Sequence, residues 1–178
     1  MQCHILKVPP LSGDLPKVQF RAEGTCAWVK FVPEESDPWV GVFGWGALKF
    51  RSEAVAILHA APFAFVIAGG APYIINYEAR TLVWYSDDAW LTGVVAAEAQ
   101  SLFVACDDIR LYAFTLSGEQ RWISRRISWD GIRNLSVVGE GVQGDADYPD
   151  GAVATFATDI ETGATTGGSY DGPRIFTP

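Results

Sequence analysis

Tyr112-Ala113-Phe114-Thr115-Leu116-Ser117-Gly118-Glu119-Gln120-Arg121-Trp122 decides how the rest of this chain is read. Leu111-Tyr112-Ala113-Phe114 and Gln120-Arg121-Trp122-Ile123 are short, aromatic-containing runs, and Ser117-Gly118 between them is a turn signal. Glycine accepts the positive φ that a tight hairpin turn demands. The hairpin recurs. A shift of 38 residues lays Phe65-Val66 on Phe103-Val104 and Trp84 on Trp122. A second shift lays Gly93-Val94 on Gly131-Ile132, Val104 on Val142 and Asp107 on Asp145. Gly118 then matches Gly163 at an offset of 45, so about seven residues are inserted. The insertion falls in Asp145-Ala146-Asp147-Tyr148-Pro149-Asp150-Gly151 and reads as an elongated loop.

Each unit holds further strand-like runs. Ala64-Phe65-Val66-Ile67-Ala68 ends at Gly69-Gly70, and Tyr73-Ile74-Ile75 and Thr81-Leu82-Val83-Trp84-Tyr85 follow. Residues 47–60 are the best helix candidate, but the Val55/Ile57 alternation suits a strand equally well. The expected fold is all-β, with four-stranded antiparallel repeats of about 38 residues, the size of a propeller blade. The stretch from Tyr112 to Trp122 resembles the blade motif of quinoprotein-like (PQQ-type) β-propellers, where Tyr-Ala-x-Asp leads through a Gly turn to a Trp. That resemblance implies that the Trp covers the seam between neighbouring blades. Other copies are degraded: Arg80 stands at the Gly position before Trp84, Gly167 at the Trp position after Gly163, and Thr115 at the Asp position of the best copy.

One domain over residues 1–178 is expected, with repeat units at 14–52, 53–91, 92–129 and 130–170 forming a small or incomplete propeller. A two-sheet sandwich is the alternative. Residues 5–8 or 174–176 are candidates for a closing strand. The resemblance also implies a limit. Quinoprotein dehydrogenases are far longer, are exported, and hold their quinone at the centre of a large propeller, so redox catalysis with that quinone is not expected here. No cofactor is assigned, calcium at Asp145, Asp147 and Asp150 being the one alternative.

Charge narrows the partner. Thirteen basic against 21 acidic residues leave a net charge of −8, which repels phosphate backbones and favours a basic protein or a cation. Nucleic acid is therefore not an expected partner. Neither is a membrane, because the longest apolar run, from Ala60, is broken by Pro62 and Gly69-Gly70. The first ten residues lack the apolar core of a signal peptide, and three cysteines make no disulfide framework, so a cytoplasmic protein is expected. Oligomeric state is left open.

Chemistry is sparse. His4 and His59 are the only imidazoles, and neither a nucleophile elbow nor a four-ligand zinc set is present, so no catalytic or metal residues are assigned. Asp145-x-Asp147-x-x-Asp150-Gly151 resembles the start of a calcium loop, yet Pro149 interrupts it and the expected downstream Glu is absent. Arg125, Arg126 and Trp129 interleave cations with an aromatic, as interface hot spots do. Trp39 and Trp45, among glycines, are read as buried; exposed, they could stack on a sugar. The expected function is a non-enzymatic protein-interaction module whose binding residues are Arg125, Arg126, Trp129, Asp145, Asp147 and Asp150. An acidic immunity protein neutralising a basic toxin is its sharpest form. A carbohydrate or small-molecule binding domain and a carboxylate-dependent hydrolase are the alternatives.

Overall fold

A computed structural model describes residues 1–11, 13, 15–47 and 52–172. Its strands form four sheets of four. The first contains β1 (Gln2–Leu6), β2 (Lys17–Phe20), β3 (Cys26–Val32) and β4 (Trp39–Gly44). The second contains β5 (Glu53–Ile57), β6 (Phe63–Ala68), β7 (Ala71–Asn76) and β8 (Thr81–Tyr85). β9 (Gly93–Ala97), β10 (Leu102–Cys106), β11 (Leu111–Phe114) and β12 (Gln120–Ile123) make the third. β13 (Ile132–Val138), β14 (Gly141–Asp147), β15 (Val153–Asp159) and β16 (Thr165–Gly167) make the fourth. The chain is all-β with blade-like repeats, and four separate sheets are not a two-sheet sandwich.

Three sheets are antiparallel meanders in chain order. The first departs from them. Its order is β1-β3-β4-β2, and β2 runs parallel to β4, pairing Lys17 with Val40 and Phe20 with Phe43. β1 is therefore parallel to β2, and a parallel pair needs a crossover rather than a hairpin. One face of this sheet packs against the second sheet through Val29, Phe31 and Phe43, which leaves the opposite face of β4 to Val40 and Val42. On that face Val40 and Val42 are buried, and Lys17 Nζ donates to the Pro10 carbonyl at 3.3 Å. The sheet thus begins at Gln2, ahead of residue 14, and residues 2–6 serve as its first strand. The other closing-strand candidate, residues 174–176, lies outside the described residues. So do residues 48–51 of the helix candidate, whose remainder holds β5.

The core sits between consecutive sheets. Phe31, Trp39 and Phe43 pack on Val66, Tyr73 and Ile75; Phe65, Ile67 and Ile74 pack on Phe103, Ala105 and Phe114. Leu102, Val104 and Ala113 in turn pack on Ile132, Val142 and Phe156. Alternate residues of β6 and β10 thus face opposite neighbours, so both strands are apolar throughout. The first strands run side by side, β1 by β5, β5 by β9 and β9 by β13. Among the described residues no strand pairing or core cluster joins the fourth sheet to the first. The array is open, an incomplete propeller.

The inserted residues lengthen strands instead of making a long loop. β14 and β15 each have seven residues, and Asp145 and Asp147 lie within β14. Only the turn after Asp147 contains Asp150, whose Oδ1 accepts from the Ala152 N–H at 3.0 Å.

Candidate functional site

At each seam between sheets a tryptophan reaches the hairpin turn of the next sheet. Trp39 donates its Nε1 proton to the Tyr77 carbonyl at 3.1 Å, and Trp122 donates to the Ile160 carbonyl at 2.7 Å. These turns share a local logic. Asn76 Oδ1 accepts from the amides of Glu78 and Ala79, and Asp159 Oδ1 accepts from the Thr162 amide and hydroxyl. In the middle turn Thr115 Oγ1 accepts from the Glu119 amide at 3.1 Å. Hydrogen bonds from Thr162 hold the Asp159 carboxyl below its ordinary range. Gly118 and Gly163 then take φ of +86° and +73°, and a Cβ on either would strike the preceding sheet's tryptophan, 2.0 Å from Trp84 and 2.8 Å from Trp122. Arg80, at the position without glycine, also takes a positive φ, 57°, and lays its guanidinium over the Trp39 ring at 5.7 Å.

The seam between the second and third sheets does not close completely. It holds a cleft of about 470 Å³ lined chiefly by Trp84, Trp90, Tyr112, Phe114, Asp88 and Asp107. The connection from β8 to β9 forms one wall. Leu91 is buried in the core, donating its N–H to Gly70 and accepting from Ser52 Oγ at 2.8 Å. With Leu91 anchored inward, Trp90 stands at the mouth, 63% exposed. Asp88 is exposed beside it, and its carboxylate has no partner among the described residues. The β10–β11 connection forms the far wall. Asp107 Oδ1 accepts from the amides of Ile109 and Arg110, both at 2.7 Å, and its Oδ2 accepts from the Tyr112 hydroxyl at 2.6 Å. Burial, then that bond to Asp107, pushes the Tyr112 phenol well above its ordinary range, against the opposing charge of Arg110. Burial first, then the charges of Asp107 and Asp130, raises the Asp108 carboxyl. Flat aromatic walls beneath a carboxylate rim suit a cation, because the faces of the rings are negative.

The arginines singled out in the sequence hold the chain to itself. Arg125 donates to the carbonyls of Arg126 and Gly167 at 2.8 and 2.6 Å, and more distantly to those of Thr165 and Tyr170. Arg126 donates to the carbonyls of Ser128 and Trp129, and its guanidinium lies 4.9 Å from the Trp129 ring centre and 4.6 Å from that of Tyr170. Trp129 meets Tyr170 edge-on at 4.8 Å. The three acids do not converge. Asp145 accepts from Asn134 Nδ2 at 2.7 Å, Asp147 pairs with Arg133, and Asp150 serves its own turn. Among the described residues no three His, Cys, Asp or Glu side chains gather in a way that could hold a metal ion. Trp39 is fully buried, and the Trp45 ring covers Gly69.

The sequence reading missed Trp90, Asp88 and Asp107 as a group. Trp90 has no counterpart under the 38-residue shift, which places Ser128 there. A tryptophan after two aspartates, in a connection rather than a strand, was the available signal.

No protein-family profile matches the chain, and no curated protein matches it. Among solved structures it is similar to the computationally designed Ika4 protein, with TM-score 0.52 and 17% identity over 72% of this chain and 79% of that one. The computationally designed Ika8 protein gives TM-score 0.52 and 13% identity over 80% of this chain and 45% of that one. Sqt1 of Saccharomyces cerevisiae gives TM-score 0.50 and 9% identity over 68% of this chain and 36% of that one. The chain therefore spans less than half the length of the last two. Likeness at these identities is likeness of fold.

Proposed function

We propose that this chain is a non-enzymatic protein-interaction module whose partner is a basic protein. The observation that carries the reading is the seam cleft, where an exposed tryptophan and an unpartnered carboxylate sit over aromatic walls. A tryptophan at the mouth of a concave site is the kind of side chain that anchors interfaces, and the net charge of −8 speeds encounter with a cationic surface. The likeness to quinoprotein-like blades concerns the scaffold alone: residues from two sheets and two connections present the cleft, and no quinone enters the reading. The setting we read for it is the cytoplasm, with neutralisation of a basic toxin, as an immunity protein does, as the sharpest form. Trp39 lies inside the core and does not serve a sugar site.

Affinity capture from native lysate, with the wild-type chain and Trp90→Ala compared across a salt gradient, tests the reading. A stoichiometric basic protein, held at low salt by the wild type and released at high salt, is expected. Recovery of no basic protein overturns the reading.

A further inference from the structure

The first and second seams differ in what lies over the tryptophan. In the first, Arg80 of this chain lies over Trp39 and donates to the Asp37 carbonyl at 3.2 Å. Elsewhere Arg21 stacks on Tyr85 at 4.4 Å, and Arg126 lies against both Trp129 and Tyr170. Guanidinium against aromatic ring is therefore a contact this chain uses repeatedly. At the second seam the turn position of Arg80 is taken by Gly118, against which Trp84 packs; among the described residues no arginine lies over the Trp84 ring, and both residues line the cleft. We propose that this cleft takes an arginine side chain from the basic partner, its guanidinium stacked on the aromatic walls and paired with Asp88.

The chemistry favours arginine over lysine. A guanidinium is planar, weakly hydrated and presents a fork of N–H donors to a carboxylate, whereas an ammonium is a compact, strongly hydrated charge. Asp107 is already committed to two amides and the Tyr112 hydroxyl, so it lends charge, while Asp88 is free to accept the fork. A cleft of about 470 Å³ accommodates the side chain with its flanking backbone. The assignment rests on the interaction reading and names the group that enters the site.

Acetyl-Gly-Arg-Gly-amide, titrated into the full chain and followed by tryptophan fluorescence and calorimetry, tests it. The citrulline and lysine counterparts are run beside it. Saturable binding of the arginine peptide is expected, weaker for lysine and absent for citrulline. Asp88→Asn and Trp90→Ala, both at exposed positions, should each weaken it about tenfold, a loss of roughly 1.4 kcal/mol. No saturable binding, citrulline or lysine binding as tightly as arginine, or unchanged affinity in both variants overturns the proposal. The two readings fail separately. A basic protein retained equally by wild type and Trp90→Ala removes the arginine site and leaves the module. A peptide that binds as expected, with no basic protein captured, leaves the arginine site and removes the protein partner.

Discussion

The second and fourth sheets are built from the same repeat, yet they lie in different places in the array. β6 and β7 are buried on both faces, with Phe65 and Ile67 toward the third sheet and Ala64 and Val66 toward the first. β14 and β15 are buried on one face only. Val142, Ala146 and Phe156 turn inward, while Gln143, Asp145 and Thr155 face out across an open polar surface. Polar residues suit a face that no neighbouring sheet covers among the described residues. The first sheet differs: on its face away from the second sheet the apolar Val40 and Val42 are buried, and Lys17 Nζ donates to the Pro10 carbonyl. The outermost described sheets thus differ, one presenting polar side chains and the other burying valines.

The largest test of this contrast lies between the two faces. Phe65→Ala empties a site packed by Phe103 and Phe114 at ring distances of 5.4 and 5.6 Å, and should cost about 3–5 kcal/mol by denaturant unfolding. Thr155→Ala on the open face of the fourth sheet should stay within about 0.5 kcal/mol. Equal losses would mean that the fourth sheet is covered in solution.

A smaller effect separates two seams. Gly118→Ala adds a Cβ 2.0 Å from the Trp84 ring at a left-handed φ, and Gly163→Ala adds one 2.8 Å from Trp122. Both should be destabilised by roughly 1–3 kcal/mol, Gly118→Ala the more, as read from melting temperature. Gly118→Ala should also disturb the cleft, because Trp84 must move. A larger loss for Gly163→Ala would reverse the ranking of the seams.

The smallest effect concerns pH in the β10–β11 connection. Asp108 has its pKa raised, so the folded state holds that proton more tightly than the unfolded chain does. Stability from this group therefore falls as pH rises from the ordinary carboxylate range through the raised folded value. Asp108→Asn should melt slightly above the wild type near neutral pH, with the gap closing in acid. A variant that melts lower at neutral pH would show that Asp108 is held by a favourable partner.

Much of the fold was legible because burial leaves its mark on hydropathy. Phe63–Ala68 and Leu102–Cys106 are unbroken apolar runs because both faces of these strands meet a neighbour. Trp84 and Trp122 stood out through the 38-residue shift, and Ser117-Gly118 as a turn signal. The cleft was not legible. Its residues come from β8, β11 and two connections, and only packing shows that Trp90 is outside while Leu91 is anchored inside. The bonds made by Arg125 and Arg126 were not legible for the related reason that side-chain partners are invisible in sequence. Their donors turn to nearby carbonyls of the same chain.

Periodicity of apolar residues and turn chemistry are local properties, so the sequence alone determined the all-β class, the repeat, the correspondence of Trp84 with Trp122 and the acidic balance. Which strands pair, and what fills the space between sheets, depends on contacts between residues far apart in the chain. The tertiary structure alone therefore decided the parallel placement of β2, the strand extension at Asp145 and Asp147, the open ends of the array and the aromatic cleft beneath Asp88.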